Sequence, residues 1–207
     1  MLREPFGFSH FAYGPYVCPR FWLRVEYRAD DDPGLSGLER SVGVVRQVPV
    51  YFYSSQSGMV RLFAQHLGRP VFDLGEREVR NSVPDGPWVL LTPSYKTGNA
   101  NNDTVPEPVK RFLKNPAVRR KMVGIMGSGN RNFGSHYQAA ARQIAKISGR
   151  PMLFEFELQG TQWDVEDARE ILGKLDLEIE RAHLARAASA GTSDDVKTGE
   201  SSKISVG

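Results

Sequence analysis

Three times along the middle of this chain an almost wholly apolar run breaks into a polar loop and then into a helical pattern. The runs are Val48-Pro49-Val50-Tyr51-Phe52-Tyr53, Trp88-Val89-Leu90-Leu91-Thr92 and Met122-Val123-Gly124-Ile125-Met126. A strand without the alternation of a half-exposed one suits burial on both faces, as in the centre of a parallel sheet. Helical spacing follows each: Val60, Phe63, Ala64 and Leu67, then Val109, Phe112 and Leu113, then Tyr137, Ala140, Ala141, Ile144 and Ile147. Alternating strands and helices predict a parallel sheet joined by right-handed crossovers. Residues 70–74 add a short edge strand. Met152-Leu153-Phe154-Glu155-Phe156-Glu157-Leu158 adds a last one, whose alternating glutamates place it toward the sheet edge.

Local signals set the boundaries. Gly68 and Pro70 stop the first helix. The second is expected from Val105, with Pro106 and Pro108 in its first turn, where proline is tolerated. Ser135-His136-Tyr137-Gln138 reads as a capping box opening the third, which Gly149 and Pro151 end. Asp164 reads as the N-cap of a final helix with Val165, Ala168, Leu172, Leu175 and Ile179 on its core face. Residues 76–81 are charged and read as loop. After about Ala185 the chain turns to Ala, Ser, Gly, Thr, Asp and Lys, which bury too little apolar surface to order themselves. The expected organisation is a domain over residues 44–184 and a disordered tail over 185–207. Residues 1–43 are rich in aromatics, proline and glycine, with one alternating piece at Phe21, Leu23, Val25 and Tyr27. They read as an extension, in part disordered, or as the product of a start codon placed too early.

Composition removes several function classes. No stretch approaches the ~18–20 apolar residues that span a bilayer, and no signal peptide is evident, so a cytoplasmic protein with no membrane partner is expected. Cys18 is the only cysteine, which excludes an internal disulfide, a CxxC pair and a cysteine-cluster metal site. Redox chemistry would then need a bound cofactor. The net charge of +3 is unevenly placed, with ten Lys and Arg between residues 105 and 150 against Glu107 alone. A solvated face, an acidic partner and a small anion all fit that excess. A nucleic-acid surface fits less well, because aromatics are not interleaved with the basic residues.

Five strands of this kind suit the flavodoxin-like order 2-1-3-4-5 in a three-layer α/β sandwich, with its ligand beyond the carboxyl ends of the strands at the switch point. The loops that meet there are Ser54-Ser55-Gln56-Ser57-Gly58, Pro93-Ser94-Tyr95-Lys96-Thr97-Gly98-Asn99 and Gly127-Ser128-Gly129-Asn130-Arg131-Asn132-Phe133-Gly134. Any one alone fits a plain turn. Three polar, glycine-bearing loops at one place argue for a ligand. The first sets hydroxyls before a helix N-terminus, a phosphate site, but lacks the lysine of a triphosphate loop. With one phosphate loop and no G-x-G-x-x-G, a mononucleotide fits better than a dinucleotide, and FMN is the natural candidate. Tyr95 and Phe133 are placed either to stack on a planar group or to pack within the protein.

Residues 127–134, together with Phe154-Glu155-Phe156-Glu157-Leu158-Gln159-Gly160-Thr161, strongly resemble the NrdI family, flavodoxin-like activating proteins of class Ib ribonucleotide reductase. The family's (A/G)SGNxNFG loop and FEL-x-GT segment are both present, and ordinary flavodoxins lack the first. The match covers about residues 48–175. The resemblance implies bound FMN, reduced by an unidentified reductant, whose reaction with dioxygen gives superoxide or a related oxidant. That oxidant would assemble the dimanganese–tyrosyl radical cofactor of the reductase small subunit, in support of deoxyribonucleotide synthesis. The chain would be an accessory protein rather than a stand-alone enzyme. By position, Ser54, Ser55, Gln56, Ser57 and Gly58 would hold the phosphate. Pro93, Ser94, Tyr95, Lys96, Thr97, Gly98 and Asn99 would border the ring, and Ser128, Gly129, Asn130, Asn132, Phe133 and Gly134 its other edge. Two departures stand out. Met59 and Val60 occupy positions where such loops usually carry Asn or Thr, leaving more of the phosphate to backbone N–H groups. Lys96 stands where relatives run to glycine; it either stabilises an anionic reduced flavin and attracts superoxide, or points to solvent. A general electron-transfer flavodoxin is the competing function, weakened by the basic charge; a binding module that has lost its flavin is another.

Overall fold

The structure, a computed structural model, describes residues 46–95 and 104–191. Five parallel strands form one sheet in the order β2-β1-β3-β4-β5. They are β1 Val50–Phe52, β2 Val71–Asp73, β3 Trp88–Pro93, β4 Met122–Gly129 and β5 Met152–Glu157. Every residue of β1, β3 and β4 is buried, whereas β2 and β5 are only partly covered, as edge strands are. The alternating glutamates of β5 follow from that position: Glu155 faces outward and pairs with Arg142 at 2.8 Å.

Strand periodicity divides the core in two. Val50, Phe52, Val89 and Leu91 point to one face, where α1 (Met59–His66) and α6 (Gln162–Gly191) cover them with Phe63, Ala64, Ala168 and Leu172. Tyr51, Trp88 and Leu90 point to the other, under α3 (Glu107–Leu113), α4 (Pro116–Lys121) and α5 (Ala139–Ser148). The Trp88 indole reaches across this second layer and donates to the Val118 carbonyl at 2.9 Å, so its one polar atom is satisfied in the core. On the first face, buried Asp176 of α6 accepts from the Val48 amide at 2.9 Å and pairs with buried Arg69 at 3.2 Å. This pins α6 to the amino end of β1.

Several local expectations are corrected. Residues 77–81 are a single helical turn, α2 (Arg77–Asn81), and not loop: Val79 packs on the second core, and Arg80 reaches back to the Leu74 and Gly75 carbonyls at 2.7 and 3.0 Å. The helix expected from Val105 starts at Glu107, with Pro106 at ψ 141°, outside helical conformation, as its N-cap. A second helix, α4, follows it; Asn115 caps it by accepting from the Ala117 amide at 3.0 Å, and Pro116 opens its first turn. The capping box at Ser135 does not form. Residues 131–136 wind into a 3-10 turn broken at Gly134, Gln138 takes the left-handed conformation, and α5 begins only at Ala139. Ile147, expected on the buried stripe, is 78% exposed, and no described residue packs over it. The N-cap of α6 is Thr161 and not Asp164: the Thr161 hydroxyl accepts from the Asp164 amide at 3.2 Å, and the Asp164 carboxylate accepts from the Thr161 amide at 2.7 Å. The same helix runs on to Gly191, past the boundary expected near Ala185, because alanine-rich sequence is helix-forming. The extension over residues 1–43 and the remainder of the tail lie outside the described residues.

Candidate functional site

The three loops singled out above leave the carboxyl ends of β1, β3 and β4, which are adjacent in the sheet. Pro93 lies beside Ser128 in register, and the Ser94 amide donates to the Ser128 carbonyl at 2.8 Å, so the second and third loops start side by side. The Tyr53 amide donates to the Leu91 carbonyl at 3.2 Å, which sets the first loop against the second. Lys96, Thr97, Gly98 and Asn99 lie outside the described residues.

The first loop is built for donation. Ser54 is buried and its hydroxyl turns back on the Ser55 carbonyl at 3.3 Å. Ser55 and Ser57 share a hydroxyl–hydroxyl hydrogen bond of 2.9 Å at the surface beside exposed Gln56. The Gly58 amide closes the turn on the Ser55 carbonyl at 3.0 Å, and Gly58 itself sits at φ +72°, where a side chain would strain the backbone. Helix α1 then begins with no side chain capping its first-turn N–H groups. Val60 packs into the core and offers only its backbone here, while Met59 is 38% exposed. No residue from 54 to 60 is charged, and Arg61 is engaged by Asp73 at 2.7 Å. An anion at this helix end would be met by hydroxyl and N–H dipoles.

The third loop is a clamp. Ser128 and Gly129 lie within β4 and are buried. The Ser128 hydroxyl donates to the Leu158 carbonyl at 2.7 Å, and the Leu158 amide donates to the Gly129 carbonyl at 2.8 Å. Leu158 is held at φ +55° by this exchange. The Arg131 amide donates to Glu157 at 3.1 Å, and the Gln138 side-chain nitrogen donates to the Phe156 carbonyl at 2.8 Å. The glycines serve the same closeness. A Cβ on Gly127 would lie 2.2 Å from the Gln138 side-chain oxygen and 2.9 Å from the Ala141 Cβ; one on Gly129 would lie 3.0 Å from the Gln138 backbone nitrogen. Asn130 caps the 3-10 turn by accepting from the Asn132 amide at 2.9 Å. What this clamp presents outward is Asn132, Gly134 and half-buried Phe133. Among the described residues, a Cβ on Gly134 would meet nothing within 4 Å, nor would one on Gly58.

Between these two lies the second loop. Pro93 and Ser94 are buried, and the Ser94 hydroxyl accepts from the Ala140 amide at 3.0 Å, so it braces α5. Tyr95 is half-buried, but its phenol oxygen is fully buried and has no hydrogen-bond partner among the described residues. It faces Ser55, falling short of hydrogen-bond geometry, with Tyr53 nearby. Burial raises the phenol's pKa, with Tyr53 adding to the shift and Ser55 opposing it, so the proton stays on at neutral pH.

Reading the sequence therefore found the loops but not their division of labour. Gln138 and the Leu158–Gly160 turn were missed as site-shaping residues. The signal was available in the spacing of the FEL-x-GT segment, but the partner it grips lies some thirty residues earlier in the chain, at Ser128.

The family profile described as "NrdI Flavodoxin like" matches residues 50–170. Protein NrdI of Escherichia coli O127:H6 is 42% identical over 120 residues, 58% of this chain and 87% of that protein. Protein NrdI of Bartonella tribocorum is 41% identical over 117 residues, 56% and 86% of the two chains. Among solved structures, a WrbA-like flavodoxin from Agrobacterium tumefaciens covers 67% of this chain and 99% of its own at 15% identity and a TM-score of 0.45. The fold rests on the sheet order above and not on that superposition. The chain belongs to the NrdI flavodoxin-like family.

Proposed function

We propose that this member of the NrdI family binds FMN across the ends of β1, β3 and β4 and serves as an activating partner of ribonucleotide reductase. Ser55, Ser57 and the first-turn N–H groups of α1 would take the phosphate. The turn carrying Asn132, Phe133 and Gly134 would border the ring on one side, and the loop after Ser94 on the other. The residues fit this group: the donor set is neutral and hydroxyl-rich, no described residue lies within 4 Å of a Cβ placed on Gly58 or Gly134, and one buried phenol is left without a partner among the described residues. When bound and reduced, the flavin supplies electrons to dioxygen, and the resulting superoxide or related oxidant assembles the dimanganese–tyrosyl radical cofactor of the class Ib small subunit. The protein's own part is to orient the ring, limit water and guide the oxidant.

The observation that carries the reading is the union of the two family stretches. Residues 127–134 and 154–161 are far apart in sequence yet form one hydrogen-bonded unit beside the serine loop. No helix among the described residues is long and apolar enough to cross a membrane. The test is reconstitution: the purified protein loaded with FMN, reduced and mixed with oxygen and a manganese-loaded class Ib small subunit. Appearance of the tyrosyl radical is expected. Transfer to generic acceptors without radical formation would favour a general electron-transfer flavodoxin, and a protein that takes up no FMN would remove both.

A further inference from the structure

We infer that Tyr95 serves the phosphate end of the bound cofactor, donating a hydrogen bond through its phenol, and does not act as a stacking face for the ring. The inference rests on the FMN reading above and goes beyond it by moving one residue from the ring to the phosphate.

Three observations carry it. First, the Tyr95 oxygen is buried and without a hydrogen-bond partner among the described residues, an arrangement that costs free energy unless something fills it. Second, it lies beside Ser55 of the serine loop, the loop that would take the phosphate. Third, that loop is short of donors where this chain needs them. Met59 and Val60 bring no polar side chain, Val60 is committed to the core, Ser54 is turned inward, and Arg61 is held by Asp73. An anion seated there has two surface hydroxyls, the exposed Gln56 amide and the end of a helix, and a phenol that keeps its proton is one further donor among the described residues.

The experiment compares FMN with riboflavin, which lacks the phosphate. Each is titrated into the cofactor-free full chain and into Tyr95→Phe, following flavin fluorescence. The ratio of the two affinities within one protein does not depend on how much of it is folded, so a destabilised variant remains informative. A donor to the phosphate predicts a preference for FMN in the unsubstituted protein that falls about tenfold in Tyr95→Phe, the scale of a hydrogen bond to a charged group. Riboflavin affinity stays unchanged. The 31P resonance of bound FMN is expected to move with the same substitution. Equal loss of both ligands would return Tyr95 to the ring and overturn the inference, as would an unchanged ratio with an unmoved 31P signal. A protein that binds neither flavin before substitution fails the underlying reading instead, and takes this inference with it.

Discussion

Gly58 and Gly160 have nearly the same backbone conformation, φ +72° and φ +70°, and opposite surroundings. A Cβ on Gly58 would meet nothing within 4 Å; one on Gly160 would lie 2.7 Å from the Phe63 ring and 3.2 Å from the Phe156 ring. The two positions stand for the two sides of the site. The serine loop after β1 is tied by one backbone turn, one hydroxyl pair and the Ser54 hydroxyl on the Ser55 carbonyl, all within the loop itself. The joined β4 and β5 ends are cross-bonded at Ser128, Leu158, Arg131 and Gln138, and their glycines are there because neighbours press close. The proposed site therefore joins a sparsely tied loop to a cross-bonded pair of strand ends.

The comparison can be broken by substitution. Gly160→Ala meets both the left-handed strain and the clash with Phe63, so a loss of about 3 kcal/mol of stability is expected, read by denaturant unfolding. Gly58→Ala meets only the strain and should cost about 1–2 kcal/mol. If the two variants melt together, the packing account of the β5 turn is wrong. Ser128→Ala removes the hydroxyl that holds the Leu158 carbonyl and is expected to cost about 1 kcal/mol. It should also raise amide hydrogen exchange at Leu158 while leaving Gly58 unchanged; spread of the effect to the serine loop would show that the two sides are not independent. Glu157→Gln weakens an exposed pair with Arg131 at 3.4 Å, so its effect should stay within about 0.2–1 kcal/mol and shrink with added salt.

Sequence patterning carried the fold well because the central strands are apolar throughout and the edge strands are not. Trp88 to Thr92 could only be interior, and Glu155 and Glu157 could only belong to an edge. The places where it failed share a cause, which is that a short polar segment was decided by a contact distant in sequence. The Ser135 capping box was a sound local signal, overridden when the Gln138 side chain bonded the Phe156 carbonyl and drew the helix start inward. Asp164 and Thr161 are both good capping residue types, and only the reciprocal geometry shows Thr161 to be the cap. At the site, the sequence put Ser94, Ser128 and Gly129 against the ligand. In the structure the Ser94 hydroxyl accepts from the Ala140 amide, the Ser128 hydroxyl donates to the Leu158 carbonyl and Gly129 admits its neighbours, so all three also brace the protein itself. Hydroxyls and glycines look alike in a sequence whether they hold a ligand or a strand.

The length of α6 has a practical consequence. It starts at the site end of β5, and by Asp176 it has reached the amino end of β1, where that carboxylate binds Val48. The fifteen residues from Leu177 to Gly191 continue the helix, for about 22 Å at the usual rise. Among the described residues, Ile179 is the last of them packed on the core. A dye or affinity handle attached near Gly191 would therefore sit toward the opposite pole from the three loops. It could report on tumbling or capture the protein on a surface while leaving the loop face turned toward solution.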